Sequence, residues 1–239
     1  MDRFTVAGVL DQIGRFYQFD ESKKGLIQTS FIVSYMIFAP LFGYMGDRCN
    51  RKYIMAFGVL FWSATTFLGS FVPADRPALF FLFRGLVGIG EASYSTLAPT
   101  IIADLYTKEM RTKMLALFYF AIPVGSGLGY IVGSKVATAF GHWSYALRVT
   151  PLMGVLSVIM LIVFLKEPER GESEHVMEND QSTIWEDLIY LGKNKSFIWS
   201  TAGFTSVCFS IGALSWWGPN FIQYAAESRE EDGTVDKDR

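Results

Sequence analysis

Arg84 and Glu91 are the residues of this sequence best placed to do chemistry. They stand seven apart in Arg84-Gly85-Leu86-Val87-Gly88-Ile89-Gly90-Glu91, inside an otherwise apolar run from about 78 to 104. Seven residues are two helical turns, so both side chains leave one helix face, about 10 Å apart along the axis. A base and an acid at membrane depth are costly, and they face a protein interior or a wet cavity rather than acyl chains. There they can bind a charged solute or carry a proton, or serve only as a structural ion pair. Ser95 follows Glu91 by one turn on the same face, with Tyr94 beside it. Gly88 and Gly90 allow another helix to pack closely there.

A second charged group lies between two apolar runs: Gly43-Tyr44-Met45-Gly46-Asp47-Arg48-Cys49-Asn50-Arg51-Lys52. Gly43 is expected to let the flanking helices approach each other. Asp47 is expected to bond a helix N-terminus or the nearby bases Arg48, Arg51 and Lys52. On its residues alone the group reads as a loop that sets topology and anchors to headgroups. Further on, Gly125, Gly129 and Gly133 repeat at a four-residue spacing that puts a groove along one helix side. Pro123 offers that helix a bend. Plain close packing accounts for the same glycines.

These residues need elements that hold them in a bilayer. The chain has 239 residues, 51% hydrophobic and 16% aromatic with only 18% charged, and its mean hydropathy is +0.27. The apolar runs do not alternate, and each is near the roughly 20 residues that cross a bilayer as a helix. Lipid requires the backbone to satisfy itself, so helices follow. Spans are expected at about 25–46, 53–73, 78–104, 113–134, 145–165 and 197–219. Phe4–Leu10 is too short to cross, and a polar connection from Asp11 to Lys24 follows it. Pro168 stops a helix before a long polar segment, in which Trp185, Ile184, Leu188, Ile189 and Leu191 suggest an amphipathic surface helix. The domain reading is thus a helical half over 1–165, a linker over 166–196, a further helix over 197–226 and a polar tail over 227–239. Lys and Arg concentrate in the connections at 47–52, 105–113 and 166–195, and the positive-inside bias places these in the cytoplasm.

The remaining classes fall away. Cys49 and Cys208 lie in unlike settings and suggest neither a disulfide nor a metal site, and His142 and His175 sit alone in polar connections. No Ser/His/Asp grouping or phosphate-binding glycine loop after a strand is present, so an enzyme is not indicated. No cofactor, metal or nucleic-acid partner is expected. A seven-helix receptor fits poorly, because the Asp47-Arg48 pair follows the wrong helix.

The hinge motif Gly43-x-x-x-Asp47-Arg48-x-x-Arg51-Lys52 resembles the loop between the second and third helices of major facilitator transporters. Arg84-x-x-x-Gly88-x-Gly90 resembles their fourth-helix motif. Three strings, Met1-Asp2-Arg3-Phe4-Thr5-Val6-Ala7-Gly8-Val9-Leu10, Gly88-Ile89-Gly90-Glu91-Ala92-Ser93-Tyr94-Ser95 and Phe118 to Tyr130, are similar to the spinster branch of that superfamily. The resemblance runs from Met1 to about Trp217. It implies an all-α polytopic membrane protein: the N-terminal six-helix half with its first helix truncated, plus the seventh helix. On composition alone Asp2-Arg3 reads as a solvated terminus; the resemblance instead places the pair inside the membrane with Glu91, and Arg3 available to an anionic headgroup. It also makes Tyr130 a candidate for lining the substrate path and the hinge a cytoplasmic gate. The function implied is alternating-access transport of an amphipathic lipid of the sphingosine phosphate or lysophospholipid type. Protons are a possible coupling partner through Glu91, and the membrane would be plasma, late endosomal or lysosomal. Alternatives are a truncated, non-transporting or regulatory membrane form, and a major facilitator carrier of another organic solute.

Overall fold

Capping side chains and prolines mark where the helices begin. The structure, a computed structural model, describes residues 2–168 and 184–235. The described residues form α1 (Asp2–Gly8), α2 (Leu10–Tyr17), α3 (Glu21–Gly46), α4 (Arg51–Gly69), α5 (Pro77–Leu105), α6 (Lys108–Phe140), α7 (Ser144–Phe164), α8 (Ile184–Lys193) and α9 (Lys195–Val235). Asp20 caps α3 by accepting the Lys23 N–H at 3.0 Å, and Asn50 caps α4 by accepting the Tyr53 N–H at 3.2 Å. Pro77 opens α5, where its missing N–H costs nothing. Gly141, at φ +71°, closes α6 in the left-handed region that glycine adopts freely.

Each expected span contains a helix, with corrections at the N-terminal end, along α6 and at the end of α4, which stops at Gly69 rather than at 73. Asp11–Lys24 is not a polar connection: α2 runs to Tyr17, only Gln18–Asp20 links it to α3, and Lys24 lies in the first turns of α3. Leu10, Ile13 and Tyr17 recur at helical spacing and are all buried, which pulls this polar stretch into helix. The span expected at 113–134 extends several residues further at both ends, to Lys108 and Phe140. Glu21–Gly46, Lys108–Phe140, Ser144–Phe164 and Lys195–Ser215 are long and apolar enough to cross a bilayer on length and composition.

The chain divides into two units, 1–177 and 178–239. In the first, α5 is the central helix, flanked by α3 and α4; α4 also packs on α7, and α1 packs on α6 and reaches α7. Close approach depends on glycine at α5. A Cβ at Gly88 would run into the Phe31 carbonyl oxygen of α3. One at Gly90 would lie 2.7 Å from the Gly58 carbonyl oxygen and 2.9 Å from the Trp62 nitrogen of α4. The two glycines therefore seat α5 against two different helices. Gly133 of α6 does the same for α1, where a Cβ would come 2.7 Å from the Thr5 carbonyl oxygen; Gly129 is buried and Gly125 half-buried on that helix. Interior packing is apolar around Phe31, Ile27, Phe80, Val87 and Leu147. Outward rows such as Met36, Ile37, Leu152, Leu156 and Val163 are exposed, the surface a helix bundle offers to acyl chains.

The second unit holds α8 and α9. The helix predicted around Ile184–Leu191 is present as α8, and α9 continues through Val235, over most of the stretch read as a polar tail. Gly171–Ser182 and His175 lie outside the described residues. Cys49 and Cys208 are exposed, and neither forms a disulfide among the described residues.

The glycine contacts make a testable prediction. Gly90→Ala should lower the melting temperature of detergent-purified protein by several degrees, the usual cost of overpacking. Gly127→Ala, where a Cβ meets nothing within 4 Å, should leave it unchanged. Equal melting curves for the two variants would show that α5 does not rest on α4 through Gly90.

Candidate functional site

Two consecutive residues of α1 meet two residues of α5. Asp2 and Arg3 point about 100° apart around their helix, while Arg84 and Glu91 share a face. Arg84 Nη1 donates to Asp2 Oδ2 at 3.3 Å, with both side chains buried. Arg3 Nη2 donates to Glu91 Oε1 at 3.0 Å, and this pair is more open, with side chains 32% and 19% exposed. Asp2 is thus buried and paired, which rules out the solvated-terminus reading that composition alone gave. Two acids and two bases lie together inside a helix bundle.

Residues from other helices complete the cluster. Thr150 of α7, itself buried, donates to Asp2 Oδ1 at 3.0 Å, so Asp2 ties three helices. The Phe31 ring of α3 carries the Arg3 guanidinium 4.6 Å from its centroid and that of Arg84 at 5.7 Å. Ser95 Oγ bonds the Glu91 carbonyl oxygen at 2.9 Å and the Tyr35 hydroxyl at 2.9 Å. Arg84 Nε and Nη2 are buried without a hydrogen-bond partner among the described residues. Tyr130 is half-buried on α6, its ring 5.6 Å from that of Phe4.

The hinge folds around Arg51. Its guanidinium bonds Asp104 of α5, donates from Nε to Glu167 Oε1 at 3.2 Å and from Nη2 to the Pro168 carbonyl oxygen at 3.3 Å. Glu167 also accepts the Arg51 backbone N–H at 3.0 Å and the Lys52 N–H at 2.8 Å, so its carboxylate caps the first turn of α4. Burial alone would favour the protonated acid. The Lys52 and Arg51 N–H groups and the Arg51 guanidinium outweigh it and hold the Glu167 carboxyl below its ordinary 4.5.

Other hinge residues sit differently from expectation. Asp47 and Arg48 are exposed, and Arg48 lies 3.8 Å over the Tyr44 ring. Among the described residues Asp47 makes no ion pair. Gly43 is no point of close approach, since a Cβ there meets nothing within 4 Å; that role belongs to Gly46, packed on Leu97. Sequence reasoning passed over Thr150, Asp104, Glu167, Tyr35 and Phe31. Asp104 carried a usable signal, being an acid at the end of the same helix as Glu91 and at the membrane face of Arg51. Thr150 carried none, since a threonine in an apolar helix is ordinary. His142, read as solvated, is half-buried against Phe16 and Trp143.

A bundle with this charged core has known relatives. The Major Facilitator Superfamily matches residues 1–231. The chain belongs to that superfamily, and the relatives it matches are spinster proteins. It is 57% identical over 222 residues to Protein spinster of Drosophila melanogaster and 54% identical over 225 residues to Protein spinster homolog 1 of Homo sapiens. It is 50% identical over 226 residues to a sphingosine-1-phosphate transporter of Xenopus tropicalis. These alignments cover 93–94% of the chain but 36% of the fly protein and 43% of the other two, so the chain spans less than half the length of these relatives. A solved bacterial homologue of the human lysosomal transporter spinster, in an inward-facing and unoccupied conformation, shares the fold at TM-score 0.72 and 22% identity, over 92% of this chain and 52% of that one. The chain is a multi-pass membrane protein of all-α fold.

Two predictions test these contacts. Thr150→Val should cost about 1–3 kcal/mol by leaving Asp2 Oδ1 without its donor, and Thr150→Ser should recover most of it; thermal melts read the difference. Glu167 titrates lower in the folded state than in the unfolded one. Its contribution is therefore complete above the unfolded value and disappears as pH falls through the folded value. As pH falls from about 5 through the folded value, the native protein should lose more melting temperature than Glu167→Gln. Parallel pH profiles would show that the clamp contributes nothing.

Proposed function

We propose that the protein is a carrier of amphipathic lipids of the sphingosine phosphate or lysophospholipid type, working by alternating access. The observation that carries this reading is Arg84, a buried guanidinium with one carboxylate contact and two donors that no described residue satisfies. Buried polar groups are seldom left so, and a guanidinium fork matches the oxygens of a phosphate. The Xenopus relative, a sphingosine-1-phosphate transporter, supports the same substrate class. The superfamily's binding sites lie near the midplane between helix bundles, which suits a charged cluster on α1 and α5.

The charge count dictates how an anion could enter. Two acids already face two bases, so an arriving phosphate must displace a carboxylate from a base or come with a proton that neutralises one. Glu91 is the acid to take that proton, because its pair with Arg3 is the more exposed of the two. Protonation frees Arg3 for the headgroup while Asp2, held by Arg84 and Thr150, stays in place. Ser95 and Tyr35 fix the helix turn that carries Glu91. Tyr130 lines the path beside Phe4. The Arg51–Asp104–Glu167 clamp, with Lys52, Asp47 and Arg48 around it, forms the cytoplasmic gate, and the membrane is plasma, late endosomal or lysosomal.

The test is transport by purified protein in liposomes loaded with labelled sphingosine phosphate or lysophosphatidylcholine, with an imposed pH difference. Glu91→Gln should abolish the response to pH or reduce flux roughly tenfold or more, and Arg84→Gln should reduce flux while leaving the response to pH in place. Native-like flux and pH dependence in Glu91→Gln would sink proton coupling through this residue. Native-like flux in both variants would sink the site.

A further inference from the structure

Among the described residues Arg148 is a base without an acid. Arg3, Lys24, Arg51 and Arg84 each face a carboxylate, whereas among the described residues none lies within ion-pair distance of Arg148. It is half-buried in α7, and its guanidinium is nonetheless held firmly. Nε donates to Ser70 Oγ at 3.0 Å, and Ser70 Oγ donates onward to the Phe67 carbonyl oxygen at 2.7 Å. Phe71 lies 4.2 Å and Tyr145 4.8 Å from the guanidinium carbon. Phe67 stands edge-on to Phe71, and Phe140 stacks on Tyr145 at 5.1 Å, so the cation sits within a row of four rings. The rings are open to the outside, with Phe71 56% and Tyr145 40% exposed.

Place and chemistry together define what would complete this group. Arg148 is four residues, about 6 Å, into α7, level with Ser70 at the end of α4. That is the depth of the interfacial layer, where rings and snorkelling bases meet headgroups. The negative end of the α4 dipole supplies some compensation, but a partial charge does not match a full cation. With Nε engaged and two rings holding the plane, the terminal nitrogens form a preoriented fork that suits two oxygens of one anion. The exposed apolar side chains beside it, Leu68 and Leu152, offer surface to hydrocarbon.

We propose that Arg148, Ser70, Phe71 and Tyr145 form a binding site for the phosphate of an anionic phospholipid, on the outer flank of α4 and α7 and separate from the α1–α5 cluster. The lipid is held from the bilayer as a resident partner, its headgroup on the guanidinium fork and its chains along α7. The site does not depend on the transport reading.

Native mass spectrometry of the purified protein with dioleoylphosphatidylglycerol or dioleoylphosphatidylcholine tests it. The native protein should retain one phosphatidylglycerol more tightly than Arg148→Gln does, by roughly fivefold, while phosphatidylcholine retention stays the same in both. Paired Phe71→Leu and Tyr145→Leu substitutions leave the charge in place and should still weaken phosphatidylglycerol retention. Arg148→Lys should fall between native and Arg148→Gln, and it serves as the reading should Arg148→Gln fail to fold. Equal phosphatidylglycerol retention in the native protein and the folded Arg148 variants would overturn the site. Displacement of the lipid by millimolar inorganic phosphate would overturn the lipid assignment in favour of a soluble anion.

Discussion

A full charge in a low-dielectric interior must be matched where it stands, and the first unit is organised by that constraint. Arg84 is 2% exposed. Without Asp2 it would be an unpaired buried cation, a defect that costs several kcal/mol in water-soluble proteins and more where lipid surrounds the bundle. Asp2 therefore brings α1 to α5, and Thr150 brings α7 to both. The glycines of α5 follow from the same requirement. α5 can hold an arginine inside the bundle only if α3 and α4 come close enough to exclude lipid from it, and Gly88 and Gly90 permit that approach.

The second pair, Arg3 with Glu91, obeys the rule less strictly, and the difference has a mechanistic meaning. Its partial exposure leaves the pair open to water, whereas the Asp2–Arg84–Thr150 knot is buried, with Arg84 Nε and Nη2 left without a partner among the described residues. One pair is sealed from solvent and the other is open to it. Both guanidinium groups lie against the Phe31 ring, Arg3 at 4.6 Å and Arg84 at 5.7 Å from its centroid.

The helices and the charged residues of α5 were legible in the sequence for a physical reason. A long apolar run is stable in few forms besides a membrane helix, and an ionisable group within it must turn towards protein or water. Asp2 and Arg3 became interpretable only through resemblance, since two charged residues at the start of a chain look solvated on composition. Residues that complete a charge from another helix stayed hidden. Thr150 is separated from Asp2 by 148 positions and Glu167 from Arg51 by 116, and no periodic pattern links such distant partners. The same blindness produced the error at Gly43. Glycine marks where close approach is possible, but the neighbour that makes use of it, Leu97 against Gly46 rather than anything against Gly43, is set by the tertiary fold.

The two ends of the unit are fastened by different physics, and this bears on how it can move. At the hinge, Arg51 joins α4, α5 and the segment after α7 through carboxylates, contacts that respond to pH and salt. At the other end, Tyr17 donates to the Val72 carbonyl oxygen at 2.9 Å and packs with Phe80 and Trp143, an aromatic cluster that holds by ring contact rather than by ion pairs. A bundle tied at both ends and knotted in the middle by Asp2 suits motion as one piece, the kind of motion that rocking about a midplane site requires. Its adjustable contacts are then few: the open Arg3–Glu91 pair and the Glu167 clamp. Both are carboxylates held by arginine and partly open to solvent, in contrast with the packed helices between them.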